Sequence, residues 1–179
     1  MSTLQFDSLT DVSSIHWDCL PALQGLNFAK GVSKLKYIYI NNAQLNSLSG
    51  FAPTTLTSIE GDNNPYLANV NLNGVKNIKW ATFSINAANL VVSFADLEEG
   101  EDFGFNDMGG LSRPSLPKGS GSMGISRNLL ESLDMAALTG IGGTLEVADS
   151  PFLSTLSFSL LVAGWWRVVH REEHQARRD

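Results

Sequence analysis

Leucine returns about every 22 residues along this chain. Leu23, Leu45, Leu67, Leu90, Leu111, Leu130 and Leu153 are separated by 22, 22, 23, 21, 19 and 23 positions. A second ladder of corner-forming residues keeps the same period: Asn42, Asn64, Asn86, Asn106, Asn128 and Asp149 are 22, 22, 20, 22 and 21 apart. A repeat of this length cannot bury its own apolar face, whereas stacked copies can, because each leucine lies on its neighbour's. The feature therefore predicts an all-β solenoid with one coil per repeat and strands stacked at about 4.8 Å.

The stretch LKYIYINNAQLNSLSG, residues 35–50, holds the full figure. Tyr37 to Ile40 alternate as a strand. Asn41 and Asn42 then turn the chain, as asparagine tolerates a left-handed backbone. Leu45 and Leu48 set the next apolar step. Alternation favours Ile38 and Ile40 inside, which leaves Tyr37 and Tyr39 on a flat outer face suited to glycan or protein contact, or to ordinary cross-strand packing. Two coils further on, Trp80, Phe83 and Ile85 include an inward set, and Trp80 is also a candidate, with Tyr37 and Tyr39, for an exposed sheet face that stacks on sugars. The ladder asparagines have two readings, as partners for buried backbone groups at the corner or as exposed turn formers; Asn64 and Asn86 are the best candidates for the first.

The expected organisation is an irregular N-terminal coil or cap over 1–22, a β-solenoid repeat domain over 23–158 and a non-repeat tail over 159–179. The repeat language stops at Phe158, and the tail is expected as a short helix or disordered segment whose apolar start covers the stack. Residues 112–122, rich in Pro, Gly and Ser, read as a loop. The apolar window 152–166 is shorter than the roughly 20 residues of a membrane helix and contains hydroxyl residues.

Composition narrows the function. The net charge is −6 and charged residues make up 17% of the chain. With no basic stripe, nucleic acid is excluded as a partner. Cys19 is the single cysteine, so no intrachain disulfide organises the fold, and it reads as a small buried apolar group. No cofactor is expected, because no Gly-rich phosphate motif follows a strand. His170 and His174 share a helical face four apart but lack a third zinc ligand, and His16 stands alone.

The acidic run DLEEGEDFGFND supplies Asp96, Glu98, Glu99, Glu101, Asp102 and Asp107. Paired carboxylates can hydrolyse glycosidic bonds, so a β-helical polysaccharide-active enzyme is one alternative, with Glu101 and Asp102 as its first residues to test. Calcium binding is another use, but the spacing does not match an EF-hand. A solvated corner is the third, and neither a catalytic nor a metal site is assigned.

Two phrases carry a resemblance. LTSIEGDNNPYLANVNL provides Leu56, Ile59, Asn63, Asn64, Pro65, Leu67 and Val70, and LTGIGGTLEVADSPFLSTLSF provides Leu138, Ile141, Gly142, Gly143, Leu145, Val147, Leu153 and Leu156. In these elements the chain, over about residues 20–158, resembles the fungal GPI-anchored cell-wall organisation proteins of the sporulation-specific-protein-2-like type. Their repeat is similar to the receptor L-domain, a leucine-rich right-handed parallel β-solenoid. The resemblance implies a non-enzymatic glycoprotein of the cell wall or plasma-membrane surface, with wall glycans or wall proteins as partners. A receptor-type recognition domain using its outer sheet face is the alternative within the same fold. The chain departs from the family in showing no secretion signal, anchor signal or glycosylation sequon. Those departures lead to the expectation of a fragment or incomplete gene model, attached to a membrane only through a lipid anchor that this sequence does not contain.

Overall fold

Alternation decides the main strands. In Tyr37–Ala43 the isoleucines at 38 and 40 are buried while Tyr37 is exposed, as a half-buried pleated strand requires. The computed structural model describes residues 2–108, 111–115, 121–135 and 138–169. Among them the regular structure is all β, in parallel pairs.

Eight strands form the main sheet: β2 (Ser14–Leu20), β4 (Tyr37–Ala43), β6 (Thr55–Asp62), β8 (Asn77–Ser84), β10 (Glu99–Asn106), β12 (Met123–Ser126), β14 (Gly140–Ala148) and β16 (Ala163–Val169). Each pairs with the strand one coil away. The intervening strands are shorter and form separate parallel sheets. These are β1 (Thr3–Phe6) with β3 (Gly25–Phe28), the run β5 (Ser47–Leu48), β7 (Asn69–Asn71), β9 (Leu90–Ser93) and β11 (Leu111–Ser115), and β13 (Ser132–Asp134) with β15 (Thr155–Ser157). One coil is thus a main strand, a corner, a short strand and a return, the β-solenoid expected from the period.

The core fills the space between these sheets in columns. Ile38, Ile59, Ala81, Phe103, Met123 and Leu145 stand in cross-strand register and all are buried. A second column runs through Ile40, Gly61, Phe83, Phe105, Ile125 and Val147. In the facing sheet Leu48, Val70 and Val92 align and are fully buried. Of the leucine ladder, Leu23, Leu45, Leu67, Leu90 and Leu130 are buried and Leu153 is half-buried. Leu111 pairs with Leu90 in backbone register.

The corner at the end of each main strand from β2 to β14 is made by one residue in the left-handed region: Cys19, Asn42, Asn63, Ile85, Asp107, Arg127 and Asp149, with φ between 49° and 54°. Among these only Asn and Asp suit that conformation well. Ile85 is the outlier, a β-branched residue with φ 51°. Its side chain is exposed, because the corner turns it away from the core. This corrects the inward expectation for Ile85.

Both ends carry main-sheet strands. β2 pairs with β4 along its length, so the stack already exists within residues 1–22. At the other end β16 continues the main sheet against β14, where a short helix or disordered tail was expected; residues 170–179 lie outside the described set. Parallel pairing to an exposed strand edge satisfies backbone groups that a helix would leave facing the sheet. The segment expected as a loop at 112–122 begins as strand, since β11 reaches Ser115. A register shift between Ser112 and Ser115 spans Pro114, which has no N–H to offer the ladder. Among the described residues no helix is long and apolar enough to cross a membrane.

Candidate functional surface

The outer face of the main sheet gathers the sequence's candidate contact residues. In one row Ser14, Tyr37, Ser58, Trp80 and Asp102 succeed one another across β2, β4, β6, β8 and β10. In the next row stand His16, Tyr39, Glu60, Thr82 and Gly104, continued by Gly124 on β12. Tyr37 is 47% exposed and Trp80 45%. Two strand spacings separate them, about 10 Å. Ser58 lies between them in register and is buried, so the flanking rings screen its small hydroxyl. Beside this row the His16 and Tyr39 rings have centroids 4.5 Å apart. Beyond Thr82 the face loses its side chains at Gly104 and Gly124, and a Cβ on Gly124 would meet nothing within 4 Å.

The tyrosines therefore face outward as alternation indicates. Trp80 does so too, which favours its outer-face reading over the inward one. Its position was legible: counting back by twos from the buried Phe83 puts Ala81 inside and Trp80 outside. Lys79 and Trp80 are both exposed, and the cross-strand register skips Thr57 against Lys79, which marks a local break in alternation just before Trp80.

The corner asparagines resolve into three columns, not one. Asn64, Asn86 and Asn128 follow the left-handed residue and point inward, where all are buried. Asn64 accepts the Ala43 N–H at 3.0 Å and donates to the Ile40 carbonyl at 3.0 Å. Asn128 does the same for Met108 N–H and the Phe105 carbonyl, both at 2.9 Å. Asn86 donates to the Gly61 carbonyl at 2.6 Å. Each amide thus satisfies the backbone of the preceding coil. Asn42 and Asp149 are themselves left-handed corner residues. Asn106 stands one place earlier, on the outer face, accepting the Ser126 hydroxyl at 2.7 Å. Asp62 with Ser84, and Asp18 with Asn41, repeat that outer pairing. The same inner position is taken by Ser150, whose Oγ meets the Asn128 N–H at 3.4 Å and donates to Ala148 O at 3.2 Å.

The acidic run is dispersed. Glu98 pairs with Lys76, Asp102 accepts the Ser122 N–H at 2.7 Å, and Asp107 forms a two-pronged contact with Arg127 at 2.7 Å on each arm. Glu99 opens β10 and Asp107 follows its last residue, about 25 Å apart along an extended strand. Each of these partners lies in an adjacent coil, so the carboxylates tie coils together. Among the described residues no group of three or more His, Cys, Asp or Glu is placed to hold a metal ion. His170 and His174 lie outside the described residues. Cys19 is exposed at the first corner, not buried; the turn it occupies faces solvent, and its thiol lies 3.4 Å from the Asp18 carboxylate.

The Arg127 guanidinium, chiefly by hydrogen bonding and least by its charge, holds the Asp107 carboxyl below the usual carboxylate range, with burial opposing. A depressed folded pKa contributes stability above the unfolded value, about 3.9, and loses it as pH falls through the lower folded value. Asp107→Asn keeps a residue that accepts the left-handed corner and removes only the charge. The variant is expected to melt below the wild type at neutral pH, with the gap closing below about pH 4 and narrowing in high salt. A gap that persists unchanged at pH 2 would mean that the charge is not its source.

Curated relatives are fungal. Over 170 residues the chain is 31% identical to protein ecm33 of Aspergillus fumigatus, an alignment that covers 90% of this chain and 43% of that one. It is 27% identical over 156 residues to the cell wall protein ecm33 of Schizosaccharomyces pombe, covering 87% of this chain and 37% of the relative. A cell surface GPI-anchored protein of Arthroderma benhamiae is 32% identical over 132 residues, with 73% and 34% covered. The chain therefore spans less than half the length of these relatives. No family model matches the chain, and no solved structure does. The relatives' own descriptions, cell wall and cell surface, agree with the location that the family resemblance implies.

Proposed function

Because this chain is a homologue of the fungal ecm33-type cell-wall and cell-surface proteins, we propose that it serves wall organisation without catalysis, holding glycan on the outer face of its main sheet. The observation that carries this reading is the row Tyr37–Ser58–Trp80 with the Tyr39–His16 pair beside it. Rings repeated at about 10 Å on a rigid, flat sheet suit an extended sugar chain lying across the strands, whose C–H faces stack on aromatic surface while hydroxyls reach Glu60, Thr82 and Asp102 at the fringe. Tyrosine and tryptophan offer this large contact area with few rotatable bonds. The inter-coil pairing of Glu98, Asp102 and Asp107 supports the non-enzymatic part, since these carboxylates already have structural partners.

Retention on insoluble wall polysaccharide and on a glycan array tests this. Tyr37→Ala with Tyr39→Ala, and separately Trp80→Ala, are each expected to weaken binding about tenfold, equivalent to about 1.4 kcal/mol. Melting temperatures should stay near wild type, because these side chains are exposed or half-buried. Equal retention of all three proteins would overturn the reading. Retention of a wall protein in place of glycan, lost in the same variants, would favour the receptor-type alternative on the same face.

A further inference from the structure

Three successive coils place a second cluster of solvent-facing polar side chains beyond the corners, away from the aromatic face. Gln24, Gln44, Asn46 and Tyr66 line a cleft of about 280 Å3. They flank Leu23, Leu45 and Leu67 in sequence, and those leucines are buried, so neighbours one position away are turned outward. Their backbones are pinned by contacts between coils. Gln24 N–H donates to Ser2 O at 2.8 Å, and the Asn46 carbonyl accepts Ala68 N–H at 2.9 Å. Their side chains are not engaged in this way: none of the three carboxamides or the phenol has a hydrogen-bond partner among the described residues. Tyr66 is 55% exposed, and no charged side chain lines the cleft.

This composition is selective. A carboxamide donates and accepts at once, which matches two adjacent sugar hydroxyls, one giving and one receiving. A tyrosine ring adds a flat apolar wall with a polar tip, the complement of a pyranose face. An ion would lose hydration there without meeting a counter-charge. Three coils span only about 10 Å, which limits the occupant to one or two sugar residues. The geometry points to a binding site for a neutral hexose, such as the end or a short branch of a glycan. It is separate from the Tyr37–Trp80 face, and either site can fail without the other.

The test uses the full chain titrated with methyl glycosides of mannose, glucose, galactose and N-acetylglucosamine. The side-chain NH2 resonances of Gln24, Gln44 and Asn46 are the reporters. At least one sugar is expected to shift all three along one saturable curve, with a Kd in the millimolar range. Tyr66→Ala should weaken that curve about tenfold or more, Gln44→Ala severalfold, and Tyr37→Ala with Tyr39→Ala not at all. Unchanged melting of the Tyr66 and Gln44 variants keeps the comparison clean. The inference is overturned if no sugar gives a saturable shift or if the shifts survive Tyr66→Ala.

Discussion

Asn64→Ala is expected to destabilise the protein by about 3–5 kcal/mol, a large part of the 5–15 kcal/mol typical of a folded domain. The side chain is fully buried and belongs to a relay across three coils. Its oxygen accepts Ala43 N–H, and its nitrogen is within 3.0 Å of Ile40 O, 2.9 Å of Asp62 O and 3.2 Å of Asn86 Oδ1. Truncation leaves the Ala43 N–H without its partner in a site closed to water, at about 1–3 kcal/mol, and strips the Ile40 carbonyl of one of its donors. It also removes one acceptor–donor link from Asn86, whose Oδ1 is then left with the Asn64 N–H alone at 3.3 Å. Asn64→Asp should be at least as costly, because it keeps the shape but buries a charge. The control is Asn63, next in sequence but exposed, with φ 52°. Asn63→Ala should cost about 1 kcal/mol for placing alanine in the left-handed region, and Asn63→Gly almost nothing. Urea unfolding of the four variants, with hydrogen exchange at the Ala43 amide, checks the contrast. Equal midpoints for Asn63→Ala and Asn64→Ala would remove the relay from any account of stability.

That contrast shows how far the sequence could be read. The period was visible because leucine and the corner residues recur under the same constraint, one coil per repeat. What the period could not separate were neighbours within a corner. Asn42, Asn64 and Asn106 occupy three consecutive columns, left-handed, inward and outward, and a one-residue offset between columns is smaller than the scatter of the coil length. The physical distinction lies in the residue just before the ladder: a left-handed residue followed by a buried amide, as in Asn63–Asn64 and Arg127–Asn128. Arg127 gives no turn signal of its own, and Ile85 gives a contrary one. Both are carried by neighbouring coils that enforce the corner, through the Asp107–Arg127 contact and the Ile85 N–H bond to Asn106 O at 3.3 Å. The outer tyrosines were legible from alternation. The amide cleft was not, because its members are adjacent only once the coils stack.

The second large effect lies in the aromatic column. Phe83→Ala is expected to cost about 3–5 kcal/mol. Phe83 is fully buried and stacks on Phe105, with centroids 6.0 Å apart and planes 11° from parallel. Its ring also lies over Gly61, where a Cβ would come within 2.9 Å of Cδ1 and 3.1 Å of Cε1. Gly61 is thus a packing residue: its lack of a side chain is the space that Phe83 fills, in a column where every other described member carries a side chain. Gly61→Ala must push the ring aside, and interiors packed as densely as crystals yield little, so an overpacking cost of about 1–3 kcal/mol is expected. The two sites touch, and their effects should not add. In a Phe83→Leu background, where the branched side chain withdraws from the glycine, Gly61→Ala should cost clearly less than in the wild type. A double-mutant cycle by urea unfolding measures the coupling. Strict additivity would show that the ring does not rest on Gly61 and that the phenylalanines of β8 and β10 are held from the opposite side of the coil.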